Sequence, residues 1–399
     1  MVHADGARER AGCGAPTRMA IAEKDSELAV MLAGLTVAVV AGTYLGVMAI
    51  AWLARRLDVV DKPNARSSHH RPIPLGGGVV LVAVNLIGWT TAAFSHANLP
   101  GLHVRVFAAA ALIVASISLV DDLSHVPVSA RLVAHLSAAL LVVVAFGAVH
   151  SVDIPVIGIV GLGAAGTVLT CLWIVGLVNA YNFVDGLDGL AAGQALTAGA
   201  GWSMLGFTMH RPTLTAIGAL VAASSLGFLV HNWHPATIFM GDVGSTFLGL
   251  SFAVLTVVAA HYGPRFVLPG LLLVWPVLFD STFTVLRRLR NRQSVFTGHR
   301  EFLFHRLADS GWGHTRSAAL YTCLPVAGAV LALYWETGGG AAHLVVGGGM
   351  ICLCTGLWLV VCRCERRQRA ECVDRRRAWR SGEIATGAMD RPDRVAVNV

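Results

Sequence analysis

The chain has 399 residues, of which 55% are hydrophobic and only 13% are charged, and its mean hydropathy is +0.65. This number of charged residues is too small to cover the surface of a water-soluble domain. The composition therefore excludes a soluble protein and predicts a polytopic membrane protein. The net charge of +7 does not indicate nucleic-acid binding, because the arginines cluster in segments where membrane topology and anionic lipid account for them.

Eleven apolar runs are long enough to cross the roughly 30 Å hydrocarbon core of a bilayer. They predict an all-α polytopic integral membrane protein with about eleven transmembrane helices. Glycines interrupt a further segment at 154–166, which could change this number by one. In chain order the runs lie at about 29–53, 76–95, 104–120, 131–149, 163–180, 188–207, 213–231, 245–261, 267–286, 317–335 and 341–362.

Arginines and lysines lie mainly in alternate loops and in the C-terminal tail. Because such residues favour the cytoplasmic side, we expect the N-terminus outside the cell and the C-terminus in the cytoplasm. The expected domains are an N-terminal leader at 1–28, a transmembrane domain at 29–362, and a basic cytoplasmic tail at 363–399 with a composition typical of disorder. Translation from Met19 would remove three arginines from the external leader, which favours Met19 as the start.

Carboxylates occur at the cytoplasmic ends of several predicted helices. Ionisable residues at a membrane boundary are costly and usually functional. Since all of these loops belong to one face of the membrane, they predict a single active site built from several loops. The carboxylates are Asp58 and Asp61 in the first loop, Asp121 and Asp122 in the second, Asp185 and Asp188 in the third, and Asp242 in the fourth.

The second loop places Asp121 and Asp122 at the negative end of a helix dipole. A divalent metal or a proton-accepting role would relieve that cost, and a short acidic turn is the alternative.

The third loop spaces Asn179, Asn182, Asp185 and Asp188 three residues apart. Helical geometry would bring neighbours at this spacing to one side, and their oxygens are hard ligands that suit Mg²⁺. Helix capping is the alternative for Asp185, but capping does not explain the two asparagines.

The fourth loop places Asp242 between glycines just before a helix, with Asn232 and Phe239 nearby. These residues could hold a metal and stack a base, whereas a lone aspartate at this position would be a helix N-cap. In the first loop, Arg66 and its neighbouring histidines could bind phosphate, and a solvated basic loop is the alternative.

Five segments between residues 61 and 316 resemble, in order, the signatures of the polyprenyl-phosphate N-acetylhexosamine-1-phosphate transferases, glycosyltransferase family 4. The segments are DKPNARSSHHRPIPLGGG, VDDLSHVPVSARLVAH, NAYNFVDGLDGLAAG, HNWHPATIFMGDVGSTFLG and WPVLFDSTFTVLRRLRNR. The fifth loop, GHREFLFHRLADSGW, keeps only His305 of the HxHH-type motif that many members carry. In this respect the chain resembles the subgroup that initiates O-antigen synthesis.

The resemblance implies transfer of N-acetylhexosamine-1-phosphate from a UDP-sugar to an undecaprenyl-type polyprenyl phosphate, with release of UMP. It implies a multi-pass protein of the bacterial cytoplasmic membrane that begins cell-envelope glycan synthesis, uses Mg²⁺ with Mn²⁺ as the alternative, and could form a homodimer. The implied metal ligands are Asn182 and Asp242. Asp121 and Asp122 would deprotonate or orient the lipid phosphate. The implied uridine diphosphate contacts are Asp185, Asp188, Asn179, Asn232 and Phe239, and the implied pyrophosphate or sugar contacts are Arg66, His299, Arg300 and His305.

An ion-coupled membrane transporter is the alternative from a different class, because intramembrane acids also mark such proteins. A transporter site is expected near the membrane midplane between repeated halves. The carboxylates of this chain instead lie at helix ends on one face, and the sequence shows no internal repeat.

Overall fold

The computed structural model describes residues 15–63, 71–94, 100–294 and 300–380. Helices dominate these residues, and strands form only two short antiparallel pairs. The strands are β1 (Val60–Asp61) with β2 (Ile73–Pro74), and β3 (Ser151–Ile154) with β4 (Gly158–Gly161). The helices are α1 (Ala15–Arg56), α2 (Gly78–Phe94), α3 (Gly101–Leu123), α4 (Val128–Phe146), α5 (Ala165–Val184), α6 (Leu190–Thr208), α7 (Pro212–Asn232), α8 (Gly241–Ala260), α9 (Val267–Leu273), α10 (Trp275–Arg290), α11 (Leu303–Leu307), α12 (Gly313–Thr337) and α13 (Ala342–Arg380).

Eight helices in the described part of the chain are long and apolar enough to cross a membrane. Helices α9 and α10 are bent by 75° relative to each other at Val274, and if the pair counts as one span the number rises to nine. The all-α polytopic class is therefore confirmed. Ten of the eleven apolar runs each lie mainly on one helix, although α2 is short and α6 does not pass the same test, and the run at 267–286 is divided between α9 and α10. The glycine-interrupted segment at 154–166 contributes to the β3–β4 hairpin instead of a helix.

Helix α8 lies at the centre of the bundle and is almost entirely buried. Small residues let its neighbours approach closely, as is common between membrane helices. A Cβ on Gly78 of α2 would lie 2.3 Å from the backbone nitrogen of Gly244, and a Cβ on Gly249 would lie 2.7 Å from the carbonyl oxygen of Leu177 in α5. Glycine at these positions therefore lets the N-terminal half of α8 pack directly against α2 and α5.

Backbone hydrogen bonds attach the first loop to the fourth. The amides of Gly77 and Gly78 donate to the carbonyls of Phe239 and Met240, at 3.0 and 2.9 Å. The amide of Phe239 donates in return to the carbonyl of Pro74, at 2.8 Å. These bonds hold the segment before α8, and with it Asp242, against the start of α2.

The ends of the chain differ in part from the expected domain boundaries, which stay predictions. Helix α1 begins at Ala15, inside the expected leader, and α13 continues to Arg380, inside the tail expected to be disordered. The guanidinium of Arg306 forms two hydrogen bonds of 2.7 and 2.8 Å with Glu365, so this part of α13 contacts the fifth loop. Residues 1–14 and 381–399 lie outside the described residues.

Candidate active site

Three inter-helical regions bring carboxylates together at one end of the bundle. Asp122 lies in the last turn of α3, Asp185 directly follows α5, and Asp242 is the second residue of α8. The backbone amide of Asp242 donates to Oδ1 of Asp122 at 3.0 Å, which fixes the two helix ends relative to each other. We call Asp121, Asp122, Asp185 and Asp242 the carboxylate cluster.

Arg131, in the first turn of α4, is the cation of this cluster. Its Nη1 lies 2.5 Å from Oδ2 of Asp121 and 3.7 Å from Oδ2 of Asp242. The other oxygen of Asp121 accepts the backbone amide of Val126 at 2.9 Å. Asp121 therefore orients Arg131, which lies beside four carboxyl groups.

Asp122 approaches the backbone at Gly241, which adopts a positive φ of 74°. A Cβ at position 241 would lie 2.6 Å from Oδ2 of Asp122, so only glycine allows this approach. This oxygen is buried and has no hydrogen-bond partner among the described residues. A buried carboxylate oxygen without a partner is costly, and a cation would satisfy it.

Asn182 lies one turn before Asp185 on α5 and faces the start of α8. Its amide donates to the hydroxyl of Ser245 at 3.3 Å and also interacts with the carboxylate of Asp242. Two of the residues expected to hold a metal are thus in contact with each other.

Asp185 is half-buried between the other acidic groups. Burial raises its pKa, and the nearby charges of Asp242, Asp122 and Asp188 raise it further, to about 8. Since each of these carboxylates makes ionisation of the others less favourable, a divalent cation would bind to the cluster in exchange for a proton.

Asn232 is buried and uses both ends of its amide to join two loops. Its Oδ1 accepts the backbone amide of Gly189, and its Nδ2 donates to the carbonyl of Ile238, both at 3.0 Å. The side chain expected to contact uridine therefore holds the third loop against the fourth. Phe239 belongs to the same fourth loop, and its side chain is half-buried.

Asn179 lies two turns before Asp185 and is not joined to the carboxylate cluster. Its Nδ2 donates to the carbonyl of Val175 at 2.7 Å and lies 3.2 Å from Nδ1 of His135. Asn179 lines an open groove of about 360 Å³ between α5 and α10, whose other lining residues are mostly apolar. Phe183, in the last turn of α5, lines the same groove, so the groove extends to the end of α5 that Asp185 follows.

The fifth loop reaches the third loop through His305. This histidine is buried in α11, its ring centroid lies 4.2 Å from that of Phe304, and a Cβ on Gly186 would lie 2.9 Å from its Nε2. Arg300 is farther out, and its guanidinium contacts Asp309 at 3.3 Å. Arg66 and His299, the remaining expected contacts, lie outside the described residues.

Sequence reasoning missed four residues that shape this region. Arg131 and Asp280 lie within the segments that resemble the family signatures, but the sequence patterns indicated no role for them. His234 and His314 come close to Asp188, and Nδ1 of His234 lies 2.7 Å from Oδ2 of that aspartate. Asp280 is fully buried and accepts the backbone amides of Leu303 and Phe304 at 2.7 and 3.1 Å, so it anchors α11. A buried aspartate inside an apolar run was the available signal for Asp280.

The fold and the site together define a multi-span membrane protein with an acidic centre at the ends of its helices. The model of the family described as glycosyl transferase family 4 matches residues 104–260, which include all four members of the carboxylate cluster. The chain belongs to this family, as its sequence signatures indicated.

Curated relatives support the same assignment. The chain is 30% identical over 269 residues to the probable undecaprenyl-phosphate N-acetylglucosaminyl 1-phosphate transferase of Bacillus subtilis, covering 66% of this chain and 74% of the relative. It is 33% identical over 339 residues to the decaprenyl-phosphate N-acetylglucosaminephosphotransferase of Mycobacterium tuberculosis, covering 76% and 80%. A shorter match of 152 residues, at 32% identity, links it to the phospho-N-acetylmuramoyl-pentapeptide-transferase of Moorella thermoacetica, with 37% and 45% covered.

Proposed function

We propose that this protein transfers N-acetylhexosamine-1-phosphate, with N-acetylglucosamine as the first sugar to test, from a UDP-sugar to a polyprenyl phosphate and releases UMP. The observation that carries the proposal is the meeting of Asp122, Asp185 and Asp242 from three loops at one end of the bundle. Named relatives act on polyprenyl phosphates. An ion-coupled transporter is disfavoured, because these acids lie at helix ends and the chain belongs to a transferase family.

The carboxylate cluster fits Mg²⁺, with Mn²⁺ as the alternative. Asp122 offers a buried oxygen without a hydrogen-bond partner in the described part of the chain, and Asn182 and Asp242 lie in contact beside it. Carboxylate and amide oxygens are the ligands that Mg²⁺ prefers. When bound there, Mg²⁺ would neutralise charge on the diphosphate of the donor.

The two substrates are both anions, so the chain's main task is to position them against each other. Arg131 is fixed by Asp121 and directed towards Asp242, where it would attract a phosphate group. An oxygen of the lipid phosphate would attack the β-phosphorus of the donor, and the bond from this phosphorus to the bridging oxygen would break as UMP leaves. Asp121 and Asp122 orient the lipid phosphate or accept its proton. Trapping a phosphosugar on an aspartate without lipid would contradict this direct route.

The donor contacts we propose follow the third, fourth and fifth loops. Asp185 and Asp188 contact the uridine diphosphate, and Phe239 stacks on its base. Asn232 acts by positioning Gly189 and the fourth loop. Arg66, His299, Arg300 and His305 are the pyrophosphate or sugar contacts.

The groove between α5 and α10 suits the lipid substrate. Its lining is mostly apolar, and it extends along α5 to Phe183, at the end of the helix that Asp185 follows. A prenyl chain in this groove would place its phosphate near the cluster. Asn179, which lines the groove, would then contact the lipid, and the nucleotide contact that the resemblance implies is the alternative.

We also propose that α2, α6 and the bent α9–α10 pair cross the membrane, which gives eleven spans. An odd number places the N-terminus outside and the basic C-terminus in the cytoplasm, as the positive-inside rule favours. The carboxylate cluster would then face the cytoplasm, and the membrane would be the bacterial cytoplasmic membrane. A homodimer is compatible with this arrangement.

UMP release tests the function directly. Purified protein would be incubated with polyprenyl phosphate and a panel of UDP-N-acetylhexosamines, with and without Mg²⁺. We expect UMP only when lipid, metal and one donor are present, and its loss in Asp242→Asn. Asp58→Asn is the matched control, because Asp58 is an exposed carboxylate paired with Lys62. Absence of UMP from every donor, with protein that is folded, would contradict the proposal.

A further inference from the structure

A second group of ligand-bearing side chains lies beside the carboxylate cluster. Asp188 follows α5, His234 lies between α7 and α8, and His314 is the second residue of α12. One ligand atom from each of the three lies within 4.8 Å of the other two. Three segments that are far apart in the sequence therefore converge on one point.

We propose that Asp188, His234 and His314 bind a divalent transition-metal ion such as Zn²⁺, at a site separate from the Mg²⁺ site. Two imidazoles and one carboxylate form a donor set that Zn²⁺ prefers. Asn182, Asp242 and Asp122 offer only oxygen ligands, which suit Mg²⁺. Three protein ligands leave a fourth coordination position open for water or a substrate oxygen.

The hydrogen bonds among these side chains are consistent with a cation-binding role. Nδ1 of His314 is enclosed and has no hydrogen-bond partner among the described residues. An ion pair between Asp188 and His234, whose atoms are 2.7 Å apart, would account for these two residues but would leave His314 unexplained. The ring centroids of His234 and His314 are 5.3 Å apart, so one ion can contact both rings after a small movement.

The site also has an orienting contact of the kind that metal ligands need. Oδ2 of Asp188 accepts the backbone amide of Ala236 at 3.2 Å, which holds the carboxylate beside His234. Asp188, His234 and Ala236 thus form a compact corner between the third and fourth loops, and His314 closes it from α12. A bound ion would tie these three segments together.

One consequence rests on the proposed function. Since Asp188 is also a proposed contact of the uridine diphosphate, a transition metal held by Asp188 would compete with the donor nucleotide.

The test is a Co²⁺ titration of the full-length protein, purified in detergent without a polyhistidine tag and treated with a chelator. In buffer with excess Mg²⁺, which would occupy the carboxylate cluster, we expect one equivalent of Co²⁺ with the visible absorption of a four-coordinate ion, which Zn²⁺ displaces. His234→Gln and His314→Gln should each weaken Co²⁺ binding by more than about tenfold, because loss of even an orienting group costs about 10–100-fold.

Two variants serve as controls. His125→Gln replaces an exposed histidine of the second loop, and Asp242→Asn removes a ligand of the proposed Mg²⁺ site. Both should bind Co²⁺ as the wild type does. Size-exclusion elution and thermal melting would show that each variant is folded.

Two results would overturn the site. These are no Co²⁺ absorption from folded wild-type protein, or unchanged Co²⁺ affinity in folded His314→Gln. Adding UDP-N-acetylglucosamine should weaken Co²⁺ binding in the wild type. Unchanged Co²⁺ affinity would overturn the competition, while the proposed transferase activity is tested separately by UMP release.

Discussion

Gly241 sets how closely Asp122 approaches the start of α8. An alanine there would place its Cβ 2.6 Å from Oδ2 of Asp122. It would also occupy a left-handed backbone conformation, which costs a residue with a side chain about 1–2 kcal/mol. We expect Gly241→Ala to lower kcat by about 100-fold, because a misplacement of about 1 Å at a reacting centre can cost this much.

Gly158→Ala is the matched control for Gly241→Ala. Gly158 lies in the β3–β4 hairpin with a φ of 87°, and a Cβ there would meet no atom within 4 Å. The backbone cost is therefore similar, but nothing at the site is displaced. Thermal melting should show destabilisation of both variants, at least as large in Gly241→Ala, and UMP release should fall only in Gly241→Ala. Equal activity of both variants would mean that the approach of Asp122 to Gly241 has no role in the reaction.

The raised pKa of Asp185 predicts how pH affects the stability of the metal-free protein. Its pKa is about 8 in the folded protein, whereas an unfolded chain has an aspartate pKa of about 4. Between these values the folded state holds a proton that the unfolded state has lost, so the free energy of unfolding falls as pH rises. The stabilisation is complete below about pH 4 and is lost as pH approaches about 8.

This dependence can be measured by thermal melting in detergent with a chelator present. The melting temperature of the wild type should fall between about pH 5 and about pH 8. Asp185→Asn should show a smaller fall, because its amide does not titrate. Asp58→Asn, which alters an exposed carboxylate, should behave as the wild type. A pH dependence that is the same in all three proteins would argue against a raised pKa at Asp185.

Helix α11 depends on two neighbouring helices for its position. Asp280 of α10 accepts the amides at its start, and the hydroxyl of Tyr321 donates to the same carboxylate at 2.7 Å. On the other side, Glu365 of α13 accepts two hydrogen bonds from Arg306. Because α11 carries His305 to the third loop, the C-terminal half of α13 contributes to the geometry of the site from outside the sequence signatures.

We therefore expect Glu365→Gln to reduce activity without removing it. The mutation leaves Arg306 without its charged partner, and loss of a partner by a largely buried charged group costs about 1–3 kcal/mol or more. Looser placement of His305 should raise KM for the donor by about tenfold, which corresponds to about 1.4 kcal/mol. Glu371→Gln, an exposed glutamate on the same helix, makes the same change of charge and should leave KM unaltered. Equal kinetics for the two variants would show that the Arg306–Glu365 pair does not support the site.

The molecule as a whole shows which features hydropathy can predict. All eleven apolar runs lie on helices, because a bilayer allows a spanning segment few ways to satisfy its backbone. The 75° bend between α9 and α10 was not predicted, because Pro276 alone does not indicate whether a helix kinks or begins anew. The β3–β4 hairpin was also left open, since glycines only mark the interruption.

The sequence predicts on which face of the molecule the site lies, but it does not predict which residues contact each other there. The predicted topology assigns the acidic loops to the same side of the membrane, since alternate loops share a side. The hydrogen bond between Asp122 and Asp242 joins residues 120 positions apart, and its existence depends on how α3 packs on α8. The same holds for His314, which reaches Asp188 only because α12 begins beside the third loop.

The proposed orientation of the whole bundle in the membrane can be tested by chemical labelling. Helix α4 separates the second loop, which lies beside Asp121 and Asp122 of the carboxylate cluster, from the β3–β4 hairpin, so these segments should lie on opposite sides of the membrane. In a protein whose eight cysteines are replaced by alanine, Val156→Cys at the hairpin should react with a membrane-impermeant maleimide added to intact cells. Val156 is 70% exposed, so access does not limit the reaction. His125→Cys, exposed in the second loop, should react only after the membrane is opened. The reverse pattern would place the carboxylate cluster outside, where a cytoplasmic nucleotide sugar could not reach it.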